Sequence, residues 1–199
     1  MKQPVGVILA GGAARRMGGG DKSLLLLGGQ PMLTHALDRL APQVAAVALS
    51  ANGDRTRFNA FGLPVLPDPV GGYLGPLAGV LAGLEWAAAQ GADTLVSVAA
   101  DTPFFPCDLV PQLLLAAEGM TPPLVLAGTQ TAGTTARHPT FGLWPVALRT
   151  ALRRALDTGT RKVTDWADAQ GARTAVFPQE AAFFNVNTPE DLTRAQALL

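Results

Sequence analysis

Apolar residues in this chain come in short blocks, separated by punctuation rich in glycine, proline and aspartate, and the blocks change period along the sequence. Val5 to Leu9 is apolar throughout apart from Gly6, as expected of a strand covered on both faces. Pro31 suits the first position of a helix, and Leu33, Ala36, Leu37 and Leu40 then recur at helical spacing. Val44 to Leu49 reads as a second strand, turned by Asn52-Gly53-Asp54, and Leu63 to Leu66 as a short third strand ending at Pro67-Asp68-Pro69. Gly75-Pro76 opens a helix expected to reach about Ala89. Thr94 to Val98 is a fourth strand, leading into Ala99-Ala100-Asp101-Thr102-Pro103. Further along, the pattern predicts a helix over 109–117 and a strand over 124–127. Residues 128–137, polar and rich in Gly and Thr, are expected to form an exposed loop, followed by an edge strand over 139–143. Helices over 146–156 and 163–169, a strand over 174–177 and a last helix over 189–199 complete the reading. Strands that alternate with helices predict an α/β architecture with a mostly parallel sheet covered on both faces.

That topology carries a functional implication. Ligands of open parallel sheets bind in the crevice beyond the carboxyl ends of the strands. The glycine-rich segment after Leu9, the Ser50/Asn52 turn, Asp68 and Asp101 each follow an expected strand, so polar groups spread over ninety residues should converge on one edge.

Composition narrows the picture. With 199 residues, 48% apolar and 15% charged, the chain has material for one well-cored domain, expected to span 1–199. Formal net charge is zero, so the basic excess of a nucleic-acid or anionic-membrane surface is missing. The single cysteine, Cys107, leaves no internal disulfide and suits a reducing compartment. Polar chemistry begins right after Leu9, so no secretory leader is expected, and no apolar run is long enough for a membrane span. A cytoplasmic protein is the expectation.

The segment from Val7 to Lys22 joins an apolar run to a glycine-rich turn bearing Arg15 and Arg16 and ending in Lys22. Glycines let a backbone approach phosphate oxygens, consecutive N–H groups make an anion nest, and the three cations add charge. Two look-alikes fail. A P-loop needs Gly-Lys-[Ser/Thr], and Asp21 stands between Gly20 and Lys22; the dinucleotide fingerprint fails because Gly11 and Gly12 are adjacent and the next glycine is Gly18. Leu9-Ala10-Gly11-Gly12, Arg16-Met17-Gly18-Gly19 and Asp21-Lys22 do resemble, in order and spacing, the loop of the nucleotidyltransferases, and most closely that of the molybdenum cofactor guanylyltransferases. Related cytidylyltransferases usually carry alanine where this chain has Gly11, so Gly11 favours guanine.

The resemblance extends over the whole chain, with specific motifs at 9–22, 68–79, 101–103 and 185–191. It implies a three-layer α/β/α Rossmann-like fold of the nucleotide-diphospho-sugar transferase type. The implied reaction is transfer of GMP from GTP to the terminal phosphate of molybdenum-molybdopterin, with release of pyrophosphate. The implied cofactor is Mg²⁺, held by Asp101, a hard carboxylate at a strand end. Arg16, Lys22 and Asp101 become the expected catalytic residues, with Lys22 on the distal phosphates and Arg16 on the departing pyrophosphate. Leu9, Ala10, Gly11, Gly12, Lys22, Ser50, Asn52, Asp68 and Asp101 are the expected nucleotide contacts. Ser50 stands where many members carry asparagine. Asp68 is suited to accept from the N1–H and N2–H₂ edge of guanine, while Asp-Pro is also a common turn.

Phe184-Asn185-Val186-Asn187-Thr188-Pro189-Glu190-Asp191 is a second strong match. Thr188 reads as a helix N-cap with Pro189 next, and the resemblance puts Asn185 and Asn187 at the active site as substrate contacts, near the acceptor or the metal. Arg137 and Lys162 are the expected cations for the acceptor, although a basic pair such as Arg161-Lys162 is equally the ordinary end of a solvated helix. His138 is expected to be structural or a substrate contact rather than a base, His35 structural, and Cys107 a small apolar residue. Expected partners are GTP and molybdenum-molybdopterin, with molybdenum-insertion proteins or apoenzyme chaperones as protein partners. The rivals are a cytidylyltransferase on molybdopterin, a sugar-phosphate nucleotidyltransferase, and a non-catalytic carrier of nucleotide or cofactor.

Overall fold

The computed structural model describes residues 2–11, 21–71, 75–131 and 133–199. Its strands are β1 (Val5–Leu9), β2 (Leu26–Leu27), β3 (Gln30–Pro31), β4 (Val47–Ser50), β5 (Val65–Leu66), β6 (Thr94–Ala99), β7 (Val125–Thr131), β8 (Thr134–Pro145) and β9 (Arg173–Phe177). The helices are α1 (Met32–Leu40), α2 (Pro76–Ala89), α3 (Leu109–Ala116), α4 (Arg149–Asp157), α5 (Val163–Ala169) and α6 (Pro189–Gln196). Seven strands form one sheet in the order β5-β4-β1-β6-β8-β7-β9, and β2 and β3 form a separate small hairpin. Neighbouring strands run parallel except at β8, which is antiparallel to both β6 and β7. The expected mostly parallel sheet is present.

Alternation along the central strands divides the core into two layers. Ile8 packs with Leu33, Leu40, Leu109 and Leu113, from α1 and α3. Val5 and Val7 face the other way, against Leu77, Leu81 and Leu84 of α2, Leu152 and Leu156 of α4, and Trp166 of α5. A third, smaller cluster of Leu27, Met32, Val186 and Ala195 docks α6 and the stretch before it onto the β2–β3 hairpin.

Two expectations change. Residues 128–131 and 134–137 are the two arms of the β7–β8 hairpin, paired from Gly128↔Arg137 to Thr131↔Thr134, in place of the expected loop. Threonine favours strands, but this ribbon is largely exposed at 134–136 and carries no apolar alternation to reveal it. The strand expected at the edge lies between β6 and β7, and the edges are β5 and β9. Pro139 is tolerated there because pairing with β7 jumps from Leu126↔Gly142 to Ala127↔His138, so Pro139, Thr140 and Phe141 bulge out of that ladder.

The bulge is pinned from beneath. The Trp144 indole N–H donates to Ser97 Oγ at 2.7 Å, and the Ser97 hydroxyl donates to the Thr140 carbonyl at 2.8 Å. Ser97 and Trp144 are fully or almost fully buried, so each satisfied group avoids the cost of an orphaned polar atom. At Gly142 a Cβ would lie 2.9 Å from the Val125 carbonyl oxygen and 2.9 Å from Leu126 Cδ2. A backbone oxygen in a sheet cannot yield without breaking its ladder. Gly142→Ala should therefore cost about 1–3 kcal/mol of stability, the usual range for overpacking, read as a lower urea midpoint.

Candidate active site

The strands deliver their polar groups to one edge. Backbone bonds continue the ladders one step past the strand ends: Ala10 N–H to Ser50 O (2.9 Å), Ala51 N–H to Leu66 O (3.0 Å) and Ala100 N–H to Leu9 O (3.1 Å). These bonds fix where Gly11, Asn52 and Asp101 begin. Between them lies a cleft of about 340 Å³ lined by Leu9, Gly11, Ser50, Ala51, Asn52, Asp68, Gly75, Pro76, Gly79, Ala99, Asp101 and Thr140. The N-terminus of α2 opens on it at Gly75-Pro76, which turns the positive end of the helix dipole toward an anion in the cleft. A Cβ at Gly79 would come within 2.6 Å of Ser50 Oγ and 2.8 Å of Leu9 Cδ2, so glycine lets α2 lie directly on β1 and β4. A Cβ at Gly11 would meet no atom within 4 Å.

One end of the cleft is built around Asp101. Lys22 Nζ lies 2.6 Å from Asp101 Oδ2 and 2.6 Å from Asn187 Oδ1. Lys22 is only 7% exposed, so its charge is compensated inside the protein. Asn185 turns its amide nitrogen to Asp101, donating to Oδ1 (2.8 Å), Oδ2 (3.0 Å) and the main-chain oxygen (3.1 Å). The Val186 N–H donates to that same main-chain oxygen at 2.8 Å. Lys22, Asp101, Asn185 and Asn187 thus form one cluster. Asp101 also borders a recess of about 20 Å³ shared with Ala10 and Lys22, room for one water-sized occupant.

Asn187 is aimed by the start of α6. Thr188 Oγ1 accepts from the Asp191 N–H, and Asp191 Oδ2 accepts from the N–H groups of Asn187 (3.0 Å) and Thr188 (3.1 Å). The Asn187 N–H is the chief cause holding the Asp191 carboxyl below its ordinary pKa; burial opposes it, and the Thr188 bonds and Arg194 add to the lowering.

At the other end, Asn52 grips Asp68 from both directions: Asn52 Nδ2 donates to Asp68 Oδ2 at 2.7 Å, and the Asp68 N–H donates to Asn52 Oδ1 at 2.9 Å. Sequence reasoning missed the residue that ties this end to the other. Arg57, in the short helical turn Arg55–Phe61, donates through Nε to Asp21 Oδ2 (2.8 Å), through Nη2 to the Asn52 carbonyl (2.8 Å) and through Nη1 to the Asp54 carbonyl. Its guanidinium also stacks 4.4 Å from the Phe58 ring centre. Apolar patterning gives no sign of an arginine in such a turn; the available signal was Asp21, an acid among cations.

The other expected residues separate. Arg16 and Gly12 lie outside the described residues. Arg137 turns to Thr174 of β9 and Asp168 of α5 and is absent from the cleft lining. Lys162 pairs with Asp165 at 3.0 Å, both exposed, as a solvated helix end does. No helix among the described residues is long and apolar enough to cross a membrane.

A family model described as the MobA-like NTP transferase domain matches residues 6–173. A molybdenum cofactor guanylyltransferase of Cereibacter sphaeroides is 53% identical over 194 residues, covering 98% of this chain and 96% of the relative. One from Mesorhizobium japonicum is 50% identical over 201 residues, covering 98% and 95%. Among solved structures, molybdopterin-guanine dinucleotide biosynthesis protein A from Archaeoglobus fulgidus superposes with a TM-score of 0.69 at 22% identity, covering 98% of this chain and 97% of that one. CMP:2-keto-3-deoxy-manno-octonic acid synthetase, complexed with CTP, superposes at 0.71 with 18% identity, covering 99% and 98%. At those identities the two structures share the fold.

His138 supplies a pH prediction. Its ring stacks on Phe183 (4.1 Å, 4°), and its Nε2 lies 3.0 Å from Thr129 Oγ1. Burial pushes its pKa down, with Glu180 partly opposing. The folded state then binds fewer protons than the unfolded chain below about pH 6.5. The contribution of His138 to stability is full above that pH and is lost as pH falls toward the folded value. In His138→Gln, urea midpoints measured between about pH 7.5 and 5.5 should fall less steeply than in the wild type; an identical slope would exclude this role.

Proposed function

This chain belongs to the MobA-like NTP transferase domain family, and from that premise we propose that it is a molybdenum cofactor guanylyltransferase. It transfers GMP from GTP to the terminal phosphate of molybdenum-molybdopterin. An oxygen of the acceptor phosphate attacks the α-phosphorus of GTP, the bond to the β-phosphate breaks, and pyrophosphate leaves. The one observation that carries the reading is the Lys22–Asp101–Asn187 cluster at the cleft end, with both Lys22 contacts at 2.6 Å.

Reactants and products are all anionic, so the site's work is neutralisation and alignment. In this reading Lys22 serves the distal phosphates, Arg16 assists on the departing pyrophosphate, and Leu9, Ala10, Gly11 and Gly12 bring backbone to the nucleotide. The N-terminus of α2 adds positive potential to the cleft. Asp68, oriented by Asn52, accepts from the guanine edge, and Ser50 lies alongside. The open space at Gly11 supports a guanine preference, since an alanine methyl would project into it. Asn185 and Asn187 orient Asp101 and Lys22 toward the reacting phosphates.

Among the described residues no group of three or more metal-ligating side chains occurs. One carboxylate suits Mg²⁺ nonetheless, because that ion takes its remaining ligands from phosphates and water. Asp101, bordering a water-sized recess, is the residue that would hold it. Bound Mg²⁺ would supply neutralising charge at the phosphates. Arg137 and Lys162 are engaged elsewhere, and their role toward the acceptor rests on the resemblance alone. The reading places the protein in the cytoplasm, with residues 1–199 as one domain, and its lone exposed cysteine agrees with a reducing setting.

Purified protein given GTP, Mg²⁺ and molybdenum-molybdopterin should release pyrophosphate and form the guanine dinucleotide. A clear preference for CTP would overturn the guanine assignment, and no pyrophosphate with either nucleotide would favour a carrier. Asp101→Ala should cut kcat at least about a hundredfold, as expected from losing several kcal/mol of charge stabilisation. Its circular dichroism at about 25 °C should stay unchanged, because Asp101 is not part of the apolar core, while its urea midpoint should fall as Lys22 loses a partner.

A further inference from the structure

Arg57 is absent from the cleft lining, yet its guanidinium stands between the cleft's two ends. On one side, Nη2 donates to the carbonyl of Asn52, whose side chain orients Asp68. On the other, Nε pairs with Asp21 Oδ2, while Asp21 Oδ1 accepts from the Ser23 N–H (3.0 Å) and Ser23 hydroxyl (2.6 Å). Asp21 is thereby the cap of the turn Lys22–Leu24 that carries the Lys22 ammonium to Asp101. The Asp21 side chain is 11% exposed and that of Arg57 26%, so the pair is sheltered from the screening that weakens surface ion pairs. A planar fork reaching a carboxylate and two carbonyls fixes distance and angle together, which a lysine cannot do.

We propose that Arg57 is a positioning residue that sets where Lys22 stands relative to the base end of the cleft, so that preference for a triphosphate over a monophosphate depends on Arg57. The inference rests on the reading of Lys22 as the cation for the distal phosphates. The ordinary alternative is that Arg57 only staples the turn Arg55–Phe61 to the body of the protein. That alternative lowers stability but touches GTP and GMP alike. Acting through Asp21, Arg57 instead affects GTP selectively, because GMP has no distal phosphates for Lys22 to meet.

The test is calorimetric titration of GTP and of GMP into the full-length wild type, Arg57→Met, Arg57→Lys, Asp21→Asn and Lys22→Ala. Arg57→Met should reduce the GTP-over-GMP affinity ratio about fivefold or more, a coupling of the size found within one polar network, with GMP affinity nearly unchanged. Asp21→Asn should reproduce that loss, adding Arg57→Met to it should cost little more, and Arg57→Lys should recover part of the ratio. If Arg57→Met fails to fold, Asp21→Asn and Arg57→Lys carry the test. Equal weakening of both nucleotides, or a wild-type ratio in Arg57→Met beside a collapsed one in Lys22→Ala, overturns the proposal while leaving the Lys22 reading intact. An unchanged ratio in Lys22→Ala overturns the Lys22 reading, and this inference with it.

Discussion

A lysine ammonium removed from water must be met by groups that replace its hydration, and Lys22 draws them from two distant parts of the chain. Asp101 comes from the carboxyl end of β6, and Asn187 from the stretch leading into α6. Remove either and a buried charge is left short of partners. That constraint explains why Asn185 is also committed to Asp101: a carboxylate beside a single ammonium still has lone pairs to satisfy, and the Asn185 amide supplies donors. Burial here serves alignment more than stability, since a buried ion pair seldom exceeds an apolar replacement in net free energy.

The sheet makes this meeting possible. β1, β4, β5 and β6 are parallel neighbours, so their carboxyl ends and everything after them lie along one edge. Helix α2 closes the cleft because Gly79 lets it approach Ser50 and Leu9. Antiparallel β8 adds Thr140 from the far side, on a bulge held by the buried Trp144–Ser97 relay. The Asp68 end and the Asp101 end of the cleft are separate pieces of chain, and Arg57 links them through Asn52 and Asp21.

Legibility in the sequence followed physical signal strength. The central strands and α2 were readable because burial on both faces demands unbroken apolar runs. Lys22 was readable as the end of the glycine-rich turn, Asp68 and Asp101 as polar residues following strands, and Asn185 and Asn187 through the resemblance of the stretch before the Thr188 cap. The β7–β8 ribbon was not, because its mostly polar positions, exposed at 134–136, carry no apolar alternation. Arg137 and Lys162 look alike in sequence to cations awaiting a phosphate, and only their placement beside Asp168 and Asp165 shows them engaged. Arg57 was invisible for the converse reason: its partners are two backbone carbonyls and an acid thirty-six positions away.

Lys22 and Asn187 are separated by 165 positions. During synthesis every strand of the large sheet emerges from the ribosome before Asn187 does, and the apolar layers around β1, β4 and β6 have their partners by then. Contacts this distant in sequence close late, once the loop entropy between them has been reduced by the folded body. A nascent chain can therefore own a formed cleft while Lys22 still lacks one of its two partners. The segment from Asn185 to α6 ties the completion of the Lys22 cluster to the prior folding of the strands that precede it.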